Sequence, residues 1–353
     1  MRSCTVVVGI AMTLPFGAGL IGCGAAETPV TASKVTEPGP ASGAADTDNV
    51  MIVSRTAPVP EAKTPGERLI FVKAGSVWMM GPDGEAAEQL TVRSLDAADR
   101  SPAVSPNGEH LVYSSPKEGP LSLYIQSIED MIPSPLGEGR DAAWSPDGTR
   151  LAFMRGDERV GLDLYVLELD GESDPRLVLK GDDDHPGLTG HPLWSADGAS
   201  IIMSADRRLH QGSTLWNVDV ATGTASRLTA ASTDAPWTSD HSPALSPDGK
   251  TIAFASNRHG SSSDDASDYD VYSIQTDGTH LIRLTDDPGT IATPAYSSDG
   301  SRLYFASTRI RQADYEWEIF VMAATGGEQR RLTREARPEN STPSLAILPA
   351  RTQ

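Results

Sequence analysis

The chain has 353 residues, of which 38% are hydrophobic and 22% charged, as in an ordinary soluble globular protein. Its formal charge of -19 repels phosphate backbones, which argues against nucleic acid as a partner. The only two cysteines, Cys4 and Cys23, lie near the N-terminus, so the rest of the chain contains neither a disulfide framework nor a cysteine zinc site.

Residues 1–22 have the plan of a secretory signal peptide, with one charge at Arg2 followed by an apolar stretch. The stretch ends in Leu20-Ile21-Gly22-Cys23, which resembles the lipobox of bacterial lipoproteins. That resemblance implies that Cys23 is lipidated and becomes the mature N-terminus. A transmembrane anchor is the alternative, although Gly, Thr and Pro interrupt the span. We expect a lipid-anchored envelope protein of the outer membrane, facing either the periplasm or the outside.

Residues 23–65 are rich in Pro, Ala, Thr, Glu and Asp and contain few large apolar side chains. Such a segment buries too little surface to offset the entropy lost on ordering, so we expect a flexible tether. Within it, Val50-Met51-Ile52-Val53 is apolar enough to form a short strand, but we expect it to remain part of the tether.

A tetrapeptide turn recurs along the remainder of the chain, and an apolar run with aromatic residues usually follows it. Proline presets the second turn position, Asp or Asn bonds its own backbone, and Gly adopts the positive φ that follows. The turns are Ser105-Pro106-Asn107-Gly108, Ser145-Pro146-Asp147-Gly148, Ser195-Ala196-Asp197-Gly198, Ser246-Pro247-Asp248-Gly249 and Ser297-Ser298-Asp299-Gly300. Each turn therefore predicts a hairpin with a buried second strand.

A second repeated feature is an aromatic residue followed twelve positions later by a leucine. The pairs are Trp78 with Leu90, Tyr124 with Leu136, Tyr165 with Leu177, Trp216 with Leu228, Tyr272 with Leu284, and Phe320 with Leu332. Six pairs at one spacing indicate six repeated units. Dividing Gly66 to Ala350 among six gives about 47 residues each, the length of a propeller blade.

The two ends of the repeat region complement each other. The first unit begins at its second strand, since Gly66–Phe71 matches Gly249–Phe254, and Ser341–Leu345 is an orphan first strand that matches His241–Leu245. The fold class is therefore all-β: a six-bladed β-propeller of four-stranded antiparallel blades over 66–350, closed by the C-terminal strand completing blade 1.

These turns and aromatic positions resemble the WD40-like repeat (PD40) of TolB and of the propellers attached to prolyl oligopeptidases. The resemblance to TolB implies a scaffold whose propeller docks a peptidoglycan-associated lipoprotein. Two departures limit the analogy, because the tether occupies the place of TolB's N-terminal α/β domain, and no Gly-x-Ser-x-Gly nucleophile elbow is present. We expect a non-catalytic, monomeric scaffold that binds a protein or ligand in the cell envelope and needs no cofactor.

The loops between the second and third strands, and those between blades, share one face and vary in length, which favours binding there. Rim residues on that face are His185, Trp237, Asp240, Asp264, Asp265, Asp268, Tyr315 and Trp317. The channel mouth is predicted to bring together Arg100, Arg140, His191 and His241. The arginines either bind a partner's carboxylate or pair with neighbouring acids such as Asp99 and Asp141.

No complete catalytic constellation or phosphate-binding loop is visible in the sequence. The alternative function is a polysaccharide-degrading enzyme similar to oligogalacturonate lyase, with a divalent ion near His191, His210, Gln211 and His241. We predict no metal site, and we interpret the acidic run Asp264–Asp270 as a solvated loop because it lacks the residue order of a calcium loop.

Overall fold

The structure is a computed structural model that describes residues 51–52, 57–91, 98–116, 120–157, 161–181, 187–206, 212–230, 238–259, 269–286, 290–308, 317–333 and 344–350. All of them belong to one compact unit, Ser33–Gln353. These ranges contain strands and turns, and no helix in them is long and apolar enough to cross a membrane.

The predicted fold class is confirmed: six four-stranded antiparallel blades form a propeller ring. Strands are numbered in chain order, and those of each blade are named from the innermost to the outermost. They are β25 (Leu345–Leu348), β2 (Arg68–Lys73), β3 (Ser76–Met80) and β4 (Glu88–Gln89) in blade 1; β5 (Arg100–Val104), β6 (His110–Ser115), β7 (Ser122–Ser127) and β8 (Ser134–Glu138) in blade 2; β9 (Arg140–Trp144), β10 (Arg150–Asp157), β11 (Gly161–Glu168) and β12 (Arg176–Leu179) in blade 3; β13 (Gly187–Trp194), β14 (Ser200–Asp206), β15 (Ser213–Asp219) and β16 (Ala225–Arg227) in blade 4; β17 (Asp240–Leu245), β18 (Thr251–Ser256), β19 (Asp270–Gln275) and β20 (Ile282–Arg283) in blade 5; and β21 (Ile291–Tyr296), β22 (Arg302–Ser307), β23 (Glu318–Ala323) and β24 (Gln329–Arg331) in blade 6.

The aromatic residue lies in the third strand of a blade and the leucine at or next to the fourth, so their fixed spacing reflects the length of the hairpin between these strands. In blade 5 the amide of Leu284 donates to the carbonyl of Val271, the residue before Tyr272, at 2.8 Å. The leucines of blades 1, 4 and 6 make the same bond. In blades 2, 3, 5 and 6 the aromatic of the pair stacks on one from the second strand, as Tyr272 does on Phe254 with ring centroids 5.9 Å apart.

The threonine that follows four of these leucines has a structural role. Thr285 Oγ1 accepts the amide hydrogen of Val271 at 2.9 Å and donates to Asp270 Oδ1 at 2.8 Å. Arg283 Nη2 binds the other carboxylate oxygen at 2.5 Å. Blade 6 repeats the arrangement with Arg331, Thr333 and Glu318. In blades 5 and 6 the Arg-Leu-Thr motif therefore anchors the first residue of the third strand to the fourth.

The hydrophobic core lies between neighbouring blades. Leu111 and Tyr113 of blade 2 pack against Ile70 and Val77 of blade 1, for example. Trp194 is buried, and its indole nitrogen donates to the carbonyl of Ala143 in the preceding blade at 3.1 Å. Trp144 bonds Ala103 in the same way.

The predicted closure is confirmed, but the closing strand lies two residues further along the chain than the sequence match placed it, because Leu69 pairs with Ile347 as Ile252 pairs with Leu245. Strand β25 pairs antiparallel with β2 and supplies the innermost strand of blade 1. Side chains add a second link between the last and first blades. Glu67 accepts hydrogen bonds from the amide of Ser298 at 2.7 Å and the hydroxyl of Tyr304 at 3.3 Å, while buried Arg302 binds Asp83 at 3.1 Å.

The segment before the propeller differs from a plain tether. Met51–Ile52 forms β1, which pairs in parallel with β20 on the outer edge of blade 5. Further along, the carbonyl of Ala57 accepts the amide of Glu328 at 2.8 Å, and Val59 packs on the core between blades 6 and 1. The outermost strand of a blade has an unpaired edge, and the apolar pair Met51–Ile52 covers that edge in blade 5.

Candidate site at the channel mouth

The innermost strands enclose a central cavity of about 440 Å³, within the usual size range of small-ligand pockets. Its lining includes large side chains, such as Trp144, Trp194 and Tyr296, and a set of small residues. The small residues are Ala103, Ala143, Ala244 and Ala295, together with Pro102, Pro192, Pro243 and Pro294.

One position of five innermost strands has a left-handed backbone although none of the residues there is glycine. The residues are Ser101 (φ 48°), Asp141 (φ 49°), His191 (φ 56°), Ser242 (φ 53°) and Thr293 (φ 48°). All five line the channel, and we call them the polar ring. A register shift accompanies the position in every one of these strands.

This backbone is unfavourable for the residues that adopt it. A left-handed residue other than glycine costs about 1–3 kcal/mol, and four of the five also precede a proline, which normally favours extended backbone. A bulge of this kind changes the direction of a side chain relative to a regular strand. Repeated strain at one end of a channel marks a candidate functional site.

Asp141 is held in the polar ring by groups from two other blades. The hydroxyl of Ser101 in blade 2 donates to its Oδ1 at 2.5 Å. Its Oδ2 lies only 2.8 Å from the point where Gly190 of blade 4 would carry a Cβ. A side chain at Gly190 would therefore displace the carboxylate, and glycine also suits the φ of 113° at that position.

The two mouth histidines differ in their surroundings. His191 belongs to the polar ring, whereas His241 precedes Ser242 and is not among the channel-lining residues. The His241 ring packs on Tyr269 with centroids 4.6 Å apart, and its Nδ1 lies 3.1 Å from Ser242 Oγ. Burial, with a smaller contribution from His191, lowers the pKa of His241 to about 3, so that its imidazole is neutral at physiological pH.

Arg100 and Arg140 immediately precede the ring residues Ser101 and Asp141. Arg100 is exposed, and Arg140 is half-buried and already interacts with another group of the chain. The channel-lining residues include neither arginine. The structure therefore divides the cluster that the sequence predicts. His191 lines the channel, whereas each arginine lies one residue before a channel-lining position.

Asp240, predicted as a binding residue of the rim, is instead fully buried. Its Oδ2 binds Arg258 Nη2 and the hydroxyl of Thr229, each at 2.6 Å, and its Oδ1 accepts from the hydroxyl of Ser256 at 2.6 Å. With both oxygens engaged inside the protein, it is a structural acid. We therefore remove it from the candidate binding residues.

Among the other rim residues, Trp317 lies half-buried just before β23. Trp237 and Tyr315 fall outside the described residues, as do His185, Asp264, Asp265 and Asp268. Cys23 does so as well, so its lipidation remains a prediction.

The opposite face of the propeller is built from tight turns whose polar groups bind one another. In the turn after β9, Asp147 accepts hydrogen bonds from the hydroxyl of Ser145 and from Thr149, which lower the pKa of Asp147 to about 2. Asp197, Asp248 and Asp299 accept matching bonds in their own turns. These carboxylates stabilise their own turns.

Metal ligands are not assembled in the part of the chain that the structure describes: no three His, Cys, Asp or Glu side chains are close enough to share an ion. Two members of the proposed histidine set, His210 and Gln211, fall outside the described residues. The polar ring supplies hydroxyl, imidazole and carboxylate groups, a set suited to hydrogen bonding a polar ligand group.

Comparison with known proteins supports the fold. Residues 237–347 match the TolB β-propeller domain family, PD40. Two curated relatives are the Tol-Pal system protein TolB of Anaeromyxobacter dehalogenans, 28% identical over 36% of this chain, and an uncharacterized peptidase of Bacillus subtilis, YuxL, 30% identical over 42%. The chain spans 29% of the first relative's length and 27% of the second's.

A solved structure shows the same architecture over a longer stretch. TolB from Acinetobacter baumannii superimposes with a TM-score of 0.64 at 18% identity, covering 82% of this chain and 68% of that one. At this identity the likeness establishes fold alone, and it agrees with the six blades described above.

Proposed function

We propose that this chain, which carries a TolB-like six-bladed β-propeller, is a cell-envelope lipoprotein. We propose further that it binds a protein partner at the channel mouth and does not itself catalyse a reaction. The polar ring carries this proposal. Five non-glycine residues keep an unfavourable backbone at one end of the channel, where it directs polar side chains toward the axis. The TolB relative belongs to the Tol-Pal system by name, which supports a binding role in the envelope.

The arrangement of the two faces supports the same assignment. The turn face is composed of short turns with internally bonded carboxylates, which leaves it little variable surface. The mouth face carries the exposed Arg100, the half-buried Arg140 and Trp317, and the polar ring beneath them. A partner resting there meets basic groups at the rim and hydrogen-bonding groups at the axis.

Substitution of Arg100 and Arg140 tests which face of the propeller binds the partner. The partner is first captured from detergent-solubilised envelope on the lipid-free mature chain. We then expect the double substitution Arg100→Ala with Arg140→Ala to weaken binding of this partner by roughly 2 kcal/mol, because the partner's acidic groups lose their buried counter-charges. Calorimetry with the purified partner measures the change. Melting temperature should change little, since neither side chain belongs to the hydrophobic core.

A matched pair on the turn face serves as the control. Asp147→Ala with Asp248→Ala removes two turn-stabilising carboxylates and should leave binding intact. If this control pair abolishes binding in a folded protein while the arginine pair binds like the parent, the partner docks on the turn face and the proposed site is wrong.

The anchor is tested separately. Cys23→Ala removes the thiol that the lipobox would present for lipidation, so we expect labelling by a fatty-acid analogue to disappear and the uncleaved precursor to accumulate. Cys4→Ala is the control and should keep both the label and normal processing. Undiminished label in Cys23→Ala protein would exclude the lipoprotein assignment.

A further inference from the structure

We propose that the polar ring is a binding site for a primary ammonium group, either a peptide N-terminus or a lysine side chain, with Asp141 as its counter-charge. This inference deepens the proposed function, because it rests on the mouth being the binding site and names the chemical group that enters it.

Charge in the ring favours a cation. Asp141 is the acidic member of the five, and three of the others, Ser101, Ser242 and Thr293, carry hydroxyl groups. The nearby His241 is neutral, because burial lowers its pKa to about 3. Arg100 and Arg140 are not among the channel-lining residues, and of the Asp, Glu, Lys and Arg side chains that the structure describes, Asp141 alone belongs to that lining.

The hydrogen-bonding capacity of the ring matches an ammonium group. Such a group has three donors and no acceptor, and it binds carboxylate and hydroxyl oxygens. Asp141 Oδ1 accepts one bond from Ser101, and a carboxylate oxygen can accept a second. A charge-assisted bond from an ammonium is stronger than one from a neutral donor, which favours a lysine over a neutral side chain of the same shape.

The carboxylate is held in place before any ligand arrives. Ser101 binds one of its oxygens, and the absence of a side chain at Gly190 leaves room for the other. A preorganised carboxylate loses less conformational entropy on binding than a mobile one. Three neighbouring blades therefore determine its position.

The cavity suits a slender chain behind the charged group. Its volume is about 440 Å³, and its lining below the ring is mainly apolar, with alanines and prolines beside larger side chains such as Trp144 and Tyr296. The methylenes of a lysine side chain, or the first residues of a peptide, can contact these apolar walls while the ammonium binds the ring.

Three short peptides separate the sources of the ammonium group, each titrated into the mature chain by calorimetry. They are glycyl-alanyl-alanine amide with a free N-terminus, its acetylated counterpart with a central lysine, and the same acetylated peptide with norleucine in place of lysine. We expect at least one of the two cationic peptides to bind about tenfold more tightly than the norleucine peptide. The tighter of the two identifies the source.

Asp141→Asn keeps the shape of the side chain and removes its charge. We expect it to reduce the affinity of the preferred cationic peptide about tenfold, without changing the weaker binding of the norleucine peptide. Asp130→Asn, an exposed acid on the turn face, is the matched control and should bind like the parent. A melting curve for each variant confirms that it is folded.

If neither cationic peptide binds more tightly than the norleucine peptide, or if Asp141→Asn leaves the affinity unchanged, the inference is overturned. Tighter binding of an acetylated glutamate peptide would also overturn it, and would assign the mouth to acidic groups through the arginines. An affinity that depends on Asp141, found together with a partner that docks on the turn face, would retain the ammonium site and reject the proposed function.

Discussion

A chain truncated after Arg337 is expected to melt at a much lower temperature than the parent and to aggregate. The deletion removes β25, whose residues Leu345–Leu348 pair along the inner edge of β2. Leu348 is buried between blades 1 and 2, while Leu345 and Ile347 pack against the core shared by blades 6 and 1. Losing these contacts should cost on the order of 5 kcal/mol, and β2 becomes an unpaired edge able to pair with another chain.

A shorter deletion is the control for this truncation. Removing only residues 351–353 leaves β25 intact, so this protein should melt like the parent. Thermal melts, with light scattering for aggregation, make the comparison. Because Glu67 and Arg302 also join the last blade to the first, the longer truncation can keep some ring structure. Its melting temperature should nevertheless fall, and an unchanged value would show that the ring closes without β25.

The sequence predicted the fold because residues that make the same local hydrogen bonds recur from one unit to the next. The leucine twelve residues after the aromatic donates its amide across the hairpin, which fixes the hairpin length. The Ser-x-Asp-Gly turns recur because the serine hydroxyl donates a hydrogen bond to the aspartate carboxylate of the same turn. Such local bonds recur from unit to unit, so a repeat search detects them in one sequence. Closure followed from the same alignment of units, although that alignment placed the last strand two residues too early in the chain.

The site was harder to predict, because its geometry contradicts local preference. A residue before proline normally favours extended backbone, yet Ser101, His191, Ser242 and Thr293 are left-handed. In the sequence these residues follow Arg100, Gly190, His241 and Ala292, and each precedes a proline. Nothing in the local pattern indicates that this position lines the channel. The recurring pre-proline polar residue was the available signal.

Asp240 illustrates a different limit. In the sequence it follows a variable loop, where an acid is usually solvated. Its three partners, Thr229, Ser256 and Arg258, come from the preceding blade and from the far end of the neighbouring strand. Burial of a charge depends on such tertiary contacts, which local patterning does not record.

Asp240→Ala is the substitution expected to destabilise the fold most. Arg258 and Asp240 form an ion pair at 2.6 Å in which their side chains are 2% and 0% exposed. Removing the carboxylate leaves the guanidinium buried without its counter-charge, together with two hydroxyls that lose their acceptor. Breaking one partner of such a buried pair costs about 3–5 kcal/mol. Chemical denaturation measures this loss of unfolding free energy.

Replacing both partners distinguishes the buried charge from the loss of packing. Asp240→Leu with Arg258→Met exchanges the pair for apolar side chains, and we expect this protein to be more stable than Asp240→Ala, because no unpaired charge remains. Asp147→Ala, which removes a partly exposed pair with Arg150 at 3.8 Å and the hydrogen bonds that Asp147 accepts within its turn, is the surface control and should cost about 1 kcal/mol, well below the buried pair. If Asp240→Ala costs no more than this control, water reaches the Arg258 guanidinium, and Asp240 returns to the residues available at the rim.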